Sequence, residues 1–397
     1  METDVTIVGA GAIGLCLAKS LYDYGFRVTL VERQPEEALA APAYDGREIA
    51  LKRQSRRELE RLDVWSHVQP LQCSAIENAI ILNGTGRRAL TIRAEDCGEQ
   101  QLGWLVSNHV LRRAAFESLR NAFQDGHHAS LFAGSRVRAI TQHDGFAQLE
   151  LDSGQSIETK LVVAADGRHS TIRGMMGIPA DIREFGKSML VCRMQHEEPH
   201  RSTALQWFGD ELTLATLPLN RDDKGCRQSS VVVTLAQSQI QDLTALSERA
   251  FSEEIAQRFK HRFGAMRLSS ERHTYPLESV YARHFFGVRL VTTGDASVGM
   301  LPITAHGFNF GLAGVGALRE CLHSAREDDQ DIGAEAVLKR YDEMQRRTVR
   351  PLFLATNLIS GLYMRKGNRS EVAREFAIQA ASRFPPFRHA IALWLTS

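Results

Sequence analysis

Cysteine is scarce in this 397-residue chain and is never clustered. The six cysteines (Cys16, Cys73, Cys97, Cys192, Cys226 and Cys321) are scattered, and no CxxC pair occurs. That excludes a disulfide framework and a cysteine-based zinc site, so no metal ligands are expected, and it suits a reducing, cytoplasmic setting. Long apolar runs are also lacking. The longest near the C-terminus, residues 390–395, falls far short of the ~20 residues of a membrane span. Neither charge sign dominates: 48 basic residues face 47 acidic ones, which argues against a general nucleic-acid binder. Residues 1–31 carry no basic leader or cleavage site and already read as strand and helix. Repeats, low-complexity tracts and obvious linkers are absent. What remains is 43% apolar, enough for a sizeable core, at a length that suits two or three domains or one large two-part fold.

Charge is balanced overall but not locally. Residues 338–397 hold eleven Lys or Arg against four acids. Such a tail fits an anionic membrane surface, an acidic partner or an ordinary solvated helical face.

The most informative stretch is residues 3–33. Thr6, Ile7 and Val8 run into Gly9, Gly11 and Gly14, an apolar helix follows to Gly25, and Val28, Leu30 and Val31 form a second strand ending at Glu32. The first glycine permits the tight turn, the second lets the backbone approach a pyrophosphate, and the third lets helix and strand pack closely. Glu32 follows Gly14 by 18 residues, where an acid can hydrogen-bond a ribose hydroxyl. This pattern reads as a dinucleotide site. It does not by itself separate a passing nucleotide from a resident cofactor.

Along the chain, residues 44–65 read as a loop entering an amphipathic helix, and 75–91 as a hairpin around Asn83-Gly84. Residues 106–123 read as helix, 135–141 as strand and 160–165 as a buried strand. From 181 to 275 strand-like stretches recur at 189–194, 204–208, 212–217 and 229–235, with a helix at 247–263. Residues 288–293 resume the buried parallel type. After Gly307 the chain reads as helix, with breaks at Pro351 and at Pro385-Pro386.

Two later segments give the first one its meaning. LVVAADGRHSTIR, residues 161–173, is a strand ending in Asp166-Gly167, with Ser170 and Arg173 at fixed steps. LVTTGDASVGMLPITAHGFNFGL, residues 290–312, is a strand ending in Gly294-Asp295, then Pro302 and a glycine-rich turn opening a long helix. With these three motifs in this order, the chain resembles the group A flavoprotein aromatic hydroxylases, and within them the ubiquinone-biosynthesis hydroxylases. The resemblance implies an α/β fold. A Rossmann-like FAD-binding domain of the p-hydroxybenzoate hydroxylase type would span 1–75, 105–180 and 280–360. A mostly antiparallel β-sheet substrate domain is inserted at 76–104 and 181–279, and residues 361–397 form a helical C-terminal region.

The resemblance also implies site residues. Gly9, Gly11 and Gly14 would cradle the FAD pyrophosphate, with Glu32 on the adenosine ribose and Arg33 beside it. Arg47, Asn108 and Val137 match cofactor-contacting positions. Asp166 matches the acid tied to FAD and NAD(P)H, Asp295 the acid of the ribityl chain, and Gly307 and Asn309 the start of the helix aimed at the flavin. Pro302 and His306 would lie at the catalytic edge of the ring. Pro302 lacks an N–H and its fixed φ stiffens the loop.

The chain departs from the family pattern at three places. Asp295-Ala-Ser-Val298 replaces Asp-Ala-Ala-His, Ala305-His306-Gly307 replaces Gly-Gln-Gly, and Gly314 replaces a common acid. Imidazole and carboxamide both donate and accept hydrogen bonds, so His306 fills the glutamine's place, tunes a proton or meets substrate.

No second GxGxxG occurs, which fits NAD(P)H as a transient co-substrate and FAD as the resident cofactor. The implied activity is hydroxylation of a polyprenyl phenol or quinol in ubiquinone biosynthesis, through reduced flavin and a C4a-hydroperoxyflavin. Met189, Val191, Trp207, Phe208, Leu212, Leu214 and Leu217 would form an apolar roof suited to a prenylated aromatic. Two other readings remain open: a hydroxylase of a soluble aromatic or secondary metabolite, and a non-catalytic FAD subunit docking through the basic tail onto a membrane or a quinone-synthesis complex. A homo-oligomer is compatible with either.

Overall fold

The first strand, Glu2–Val8, is buried on both faces from Val5 onward, as expected in the middle of a parallel sheet. The computed structural model describes residues 1–84, 88–209, 212–301 and 307–364. In it, Glu2–Val8 lies between two parallel neighbours, Val28–Glu32 and Ser156–Ala164. The sheet continues to Ala129–Ala133 on one side and to Leu290–Thr292 and Phe286–Gly287 on the other. Ala147–Leu151 and Val137–Gln142 extend it as antiparallel additions to Ser156–Ala164.

This order has one functional consequence. From Glu2–Val8 the chain first moves to one neighbour and only later returns to the other, which creates a switch point at the carboxyl end of the first strand. Open α/β sheets bind ligands there. The three motifs follow three adjacent strands: Gly9–Gly14 after Glu2–Val8, Asp166 after Ser156–Ala164, and Asp295 after Leu290–Thr292.

A second sheet, mostly antiparallel, is built on the long strand Ala180–His196. On one side it pairs with Gln228–Ala236, then Thr213–Leu219, Thr203–Phe208, Asn78–Asn83 and Arg88–Arg93. Its other neighbours are His273–Ala282 and the short Met266–Leu268. The pairing of Thr203–Phe208 with Asn78–Asn83 is the parallel exception. Strand alternation sorts its two faces. Leu190, Cys192, Leu214, Val231 and Val233 point outward into a core with Phe251 and Ile255 of the helix Glu248–Arg258. Met189, Val191, Ala215, Leu217 and Val232 face the other way, over the motif loops. The expected apolar roof is therefore corrected: Trp207 and Leu214 sit in the outer core and Leu212 packs against it, whereas Met189, Val191 and Leu217 face inward.

Two further differences have simple causes. Val106 and Ser107 end a strand, Gly103–Ser107, that pairs with Glu48–Leu51 and Cys73–Ile76, so the helix begins only at Asn108. Pro351 does not break the helix that contains it, which runs Glu335–Met364. Proline removes one helical hydrogen bond, but packing holds the helix on both sides of it. Tyr341 is fully buried and donates its hydroxyl to the Thr292 carbonyl, and Leu352 and Thr356 are buried beyond the proline. Pro385 and Pro386 lie outside the described residues.

Candidate functional site

The Gly9–Gly14 turn is shaped by contacts that exclude side chains. Gly9 has φ +110°, a value L-residues rarely adopt, and a Cβ there would meet the Ala165 carbonyl oxygen at 2.5 Å. A Cβ at Gly14 would lie 1.9 Å from the Gly9 carbonyl oxygen, so the helix Ala12–Asp23 can approach the strand only through glycine. Gly11 is different. A Cβ there would touch no protein atom within 4 Å, and the residue lines a cavity. No side chain caps the helix that follows and no acid occupies its first turn. Its N-terminal N–H groups and positive dipole end thus remain available to an anion.

Glu32 holds this turn from the next strand. One carboxylate oxygen accepts the Ala10 N–H at 2.7 Å and the other accepts the Gln34 N–H at 2.9 Å. It also lines the cavity, beside Arg33. Asp166 has a comparable double use. Its carboxylate accepts hydrogen bonds from the Ser170 hydroxyl and from the Thr171 and Ile172 N–H groups, which starts the short helix Thr171–Met175. Arg173 of that helix is buried and donates to the Ala296 carbonyl at 2.8 Å. Arg168 reaches Asp295 at 3.2 Å. The second and third motifs are therefore tied together directly.

Arg47 belongs to a polar knot at the edge of the site. Its guanidinium and its own N–H donate to Asp45, which also accepts from Asn108 Nδ2 at 2.7 Å. Burial alone would raise the Asp45 carboxyl, but the charge of Arg47 and the hydrogen bonds from Arg47 and Asn108 outweigh it and hold Asp45 below its ordinary value. The stability this adds is present above the ordinary carboxyl value of 3.8 and is lost as pH falls through the lower folded value. In urea titrations as pH falls from 3.8 through that lower value, the wild type is expected to lose stability faster than Asp45→Asn. Parallel acid curves for the two proteins would count against this role.

One cavity of about 880 Å³ joins these parts. Of the residues expected from the sequence, Gly9, Gly11, Gly14, Glu32, Arg33, Arg47, Asn108, Val137, Asp166, Asp295 and Gly307 line it. Asn309 does not. Its carboxamide bridges to the strand Glu48–Leu51, donating to the Ala50 carbonyl at 2.8 Å and accepting the Lys52 N–H at 3.0 Å. Pro302 and His306 lie outside the described residues.

The sequence reading missed several residues at the site. Arg112 lines the cavity one helical turn after Asn108, and that i, i+4 spacing was the available signal. Arg136 and Arg168 add further positive charge. Glu48 gave no signal. It lines the cavity yet its side chain is only 1% exposed. Arg193 donates to it through Nε at 3.1 Å and Nη2 at 2.7 Å, and Ser107 donates to its other oxygen at 2.7 Å. Burial pushes the Glu48 carboxyl above its ordinary value, against the pull of Arg193.

Two of the three departures from the motif pattern acquire a structural account, while Ala305 and His306 lie outside the described residues. Val298 is buried in the core, paired in register with Tyr281. Gly314 admits Gln345 from the helix Glu335–Met364: a Cβ at Gly314 would lie 2.8 Å from Gln345 Nε2, which donates to the Phe310 carbonyl.

The pocket therefore combines a glycine turn at a helix N-terminus, the Glu32 carboxylate, several arginines and the apolar side chains of the second sheet. The model of the FAD binding domain family matches residues 2–353. The chain belongs to that family. It is 34% identical over 400 residues to the ubiquinone hydroxylase UbiM of Neisseria meningitidis, an alignment covering 100% of this chain and 85% of that protein. It is 30% identical to the ubiquinone hydroxylase UbiL of Rhodospirillum rubrum, covering 97% and 87%. In fold it is similar to p-nitrophenol 4-monooxygenase PnpA of Pseudomonas putida, with a TM-score of 0.78 at 19% identity over 99% of this chain and 97% of that one.

The observed groups fit FAD. The open space at Gly11 would admit a pyrophosphate, Arg112 would supply countercharge, and Gly307 and Phe308 bring a second helix N-terminus to the cavity wall. Among the described residues, no helix is long and apolar enough to cross a membrane.

Proposed function

We propose that this chain is an FAD-dependent monooxygenase that hydroxylates the ring of a polyprenyl phenol or quinol in ubiquinone biosynthesis. The observation that carries the reading is the continuity of the cavity. The same space is lined by Gly11, Asp166 and Asp295 at one side and by Met189, Val191, Leu217 and Leu277 at the other. Full-length likeness to two ubiquinone hydroxylases supports the substrate class.

Bound FAD supplies reduction by NAD(P)H and activation of O₂. The chain supplies the rest. The N-terminal end of Gly307–Glu327 reaches the cavity at Gly307 and Phe308 with no acid in its first turn, and its positive dipole end would stabilise negative charge on a bound cofactor. The inward face of the second sheet excludes water from the ring, which favours oxygen transfer over peroxide release. The basic stretch 338–397 supports contact with an anionic membrane surface, where a prenylated substrate resides.

The purified protein should retain FAD and oxidise NAD(P)H faster when a short-chain 2-prenylphenol is added. Cells lacking it should accumulate a quinone precursor one ring hydroxyl short. An unstimulated oxidase releasing only H₂O₂, in a strain with normal quinone, would remove this reading.

A further inference from the structure

The inward face of the second sheet is not uniformly apolar. Gln206, Thr213 and Thr234 also line the cavity. Thr213 and Thr234 stand directly opposite each other on neighbouring strands. Gln206 stands opposite Ala215, two residues along the strand from Thr213, which makes it a diagonal neighbour of Thr213 within reach of a long side chain. The three therefore form one polar patch. Next to it, Val232 pairs with Ala215 on one side and with Val191 on the other, and none of these carries a side-chain donor or acceptor.

All three side chains are reachable from the cavity. Each residue is only half-buried, and none has a side-chain hydrogen-bond partner among the described residues. Solvent serves such groups while the chamber is open. An apolar ligand that fills the chamber takes that solvent away, and an unpaired carboxamide or hydroxyl is then costly. The polar atoms of a polyprenyl phenol are its ring oxygens, and the rest is hydrocarbon. A wall that is apolar beside one concentrated polar patch has the same division.

We propose that Gln206, Thr213 and Thr234 are specificity-determining residues that bind the oxygen-bearing edge of the substrate ring, with Gln206 as the principal contact. The inference rests on the hydroxylase reading above and deepens it. The Gln206 carboxamide donates from Nε2 to a phenol, phenolate or ether oxygen and accepts a phenolic O–H at Oε1, so it serves the ring in either protonation state. The two threonine hydroxyls offer the same pair of roles beside it. Val191, Ala215 and Val232 then lie against hydrocarbon.

The test is ligand binding to the FAD-loaded protein, read from the perturbed flavin absorbance, with a 2-prenylphenol and the prenylbenzene that lacks its hydroxyl. Wild type should prefer the phenol by about ten-fold, the worth of one good hydrogen bond. Gln206→Leu alone should cut that preference to about three-fold or less, chiefly by weakening the phenol. Gln206→Leu combined with Thr213→Val and Thr234→Val should bring the two affinities within about two-fold of each other. Thr213→Ser and Thr234→Ser, which keep the hydroxyls, should retain the wild-type preference. Thermal melting reports folding, and if the triple variant does not fold, Gln206→Leu decides. Equal binding of the two ligands by wild type, or a ten-fold preference surviving in Gln206→Leu and in the triple variant, overturns the proposal. So does a folded triple variant that no longer retains FAD, since the patch would then serve the cofactor. If wild type neither binds nor hydroxylates either ligand, the hydroxylase reading itself falls. If it hydroxylates the phenol while the variants keep the preference, only the role of the patch falls.

Discussion

Gly11→Ala is expected to give a folded protein that purifies largely without its yellow cofactor. Gly11 has φ −67° and ψ 170°, which alanine adopts freely, and its Cβ would touch no protein atom within 4 Å. The unliganded fold should therefore be unharmed, or stabilised by about 0.4–1 kcal/mol through the unfolded chain. The new methyl would instead occupy space at the turn that the pyrophosphate needs. Forcing an extra methyl into a fitted contact costs about 1–3 kcal/mol, or roughly 10- to 100-fold in FAD affinity. Gly14→Ala should behave differently, because its Cβ would lie 1.9 Å from the Gly9 carbonyl oxygen and the helix would have to move off the strand. Flavin absorbance of the purified proteins, FAD titration and thermal melting separate the two. If Gly11→Ala bound FAD as tightly as wild type, the pyrophosphate would not lie at this turn.

Arg193→Met should be among the most destabilising single changes available. It leaves the buried Glu48 carboxylate with Ser107 as its remaining donor of those described above. Removing one partner of a buried ion pair costs about 3–5 kcal/mol, with protonation of the stranded acid relieving part of it. The double variant Arg193→Met with Glu48→Gln should recover much of the loss, since no charge is then left without its partner. Urea unfolding of the two single variants and the double completes the cycle. A loss under about 1 kcal/mol in Arg193→Met would place the pair among ordinary surface contacts.

The contrast between Gly11 and Glu48 shows what a sequence can display. Gly9, Gly11, Gly14 and Glu32 are read from local spacing, because one strand, one turn and one helix suffice to bring them together. Asp166 and Asp295 were legible for a similar reason: each ends a buried strand, and adjacent parallel strands collect their carboxyl ends at one edge. Glu48 and Arg193 are 145 residues apart and meet only because the second sheet packs against the small sheet that holds Glu48–Leu51. No local pattern marks either one. The roof residues failed in a further way. Their apolar character was visible, but which face of each strand points inward depends on register, and one step of alternation sends Trp207 and Leu214 outward while Leu217 points in. Pro351 was misread because local propensity predicts a break where tertiary packing carries the helix through.

On the proposed function, this cavity holds FAD and a prenylated phenol together so that oxygen is transferred to the ring. The most direct measurement is a single incubation of the FAD-loaded protein with NAD(P)H, a 2-prenylphenol and ¹⁸O₂, analysed by mass spectrometry. A product heavier by one ¹⁸O atom, formed in step with NAD(P)H consumption, is the expected result. Unlabelled phenol returned intact while NAD(P)H is consumed and all the label appears in hydrogen peroxide would contradict it.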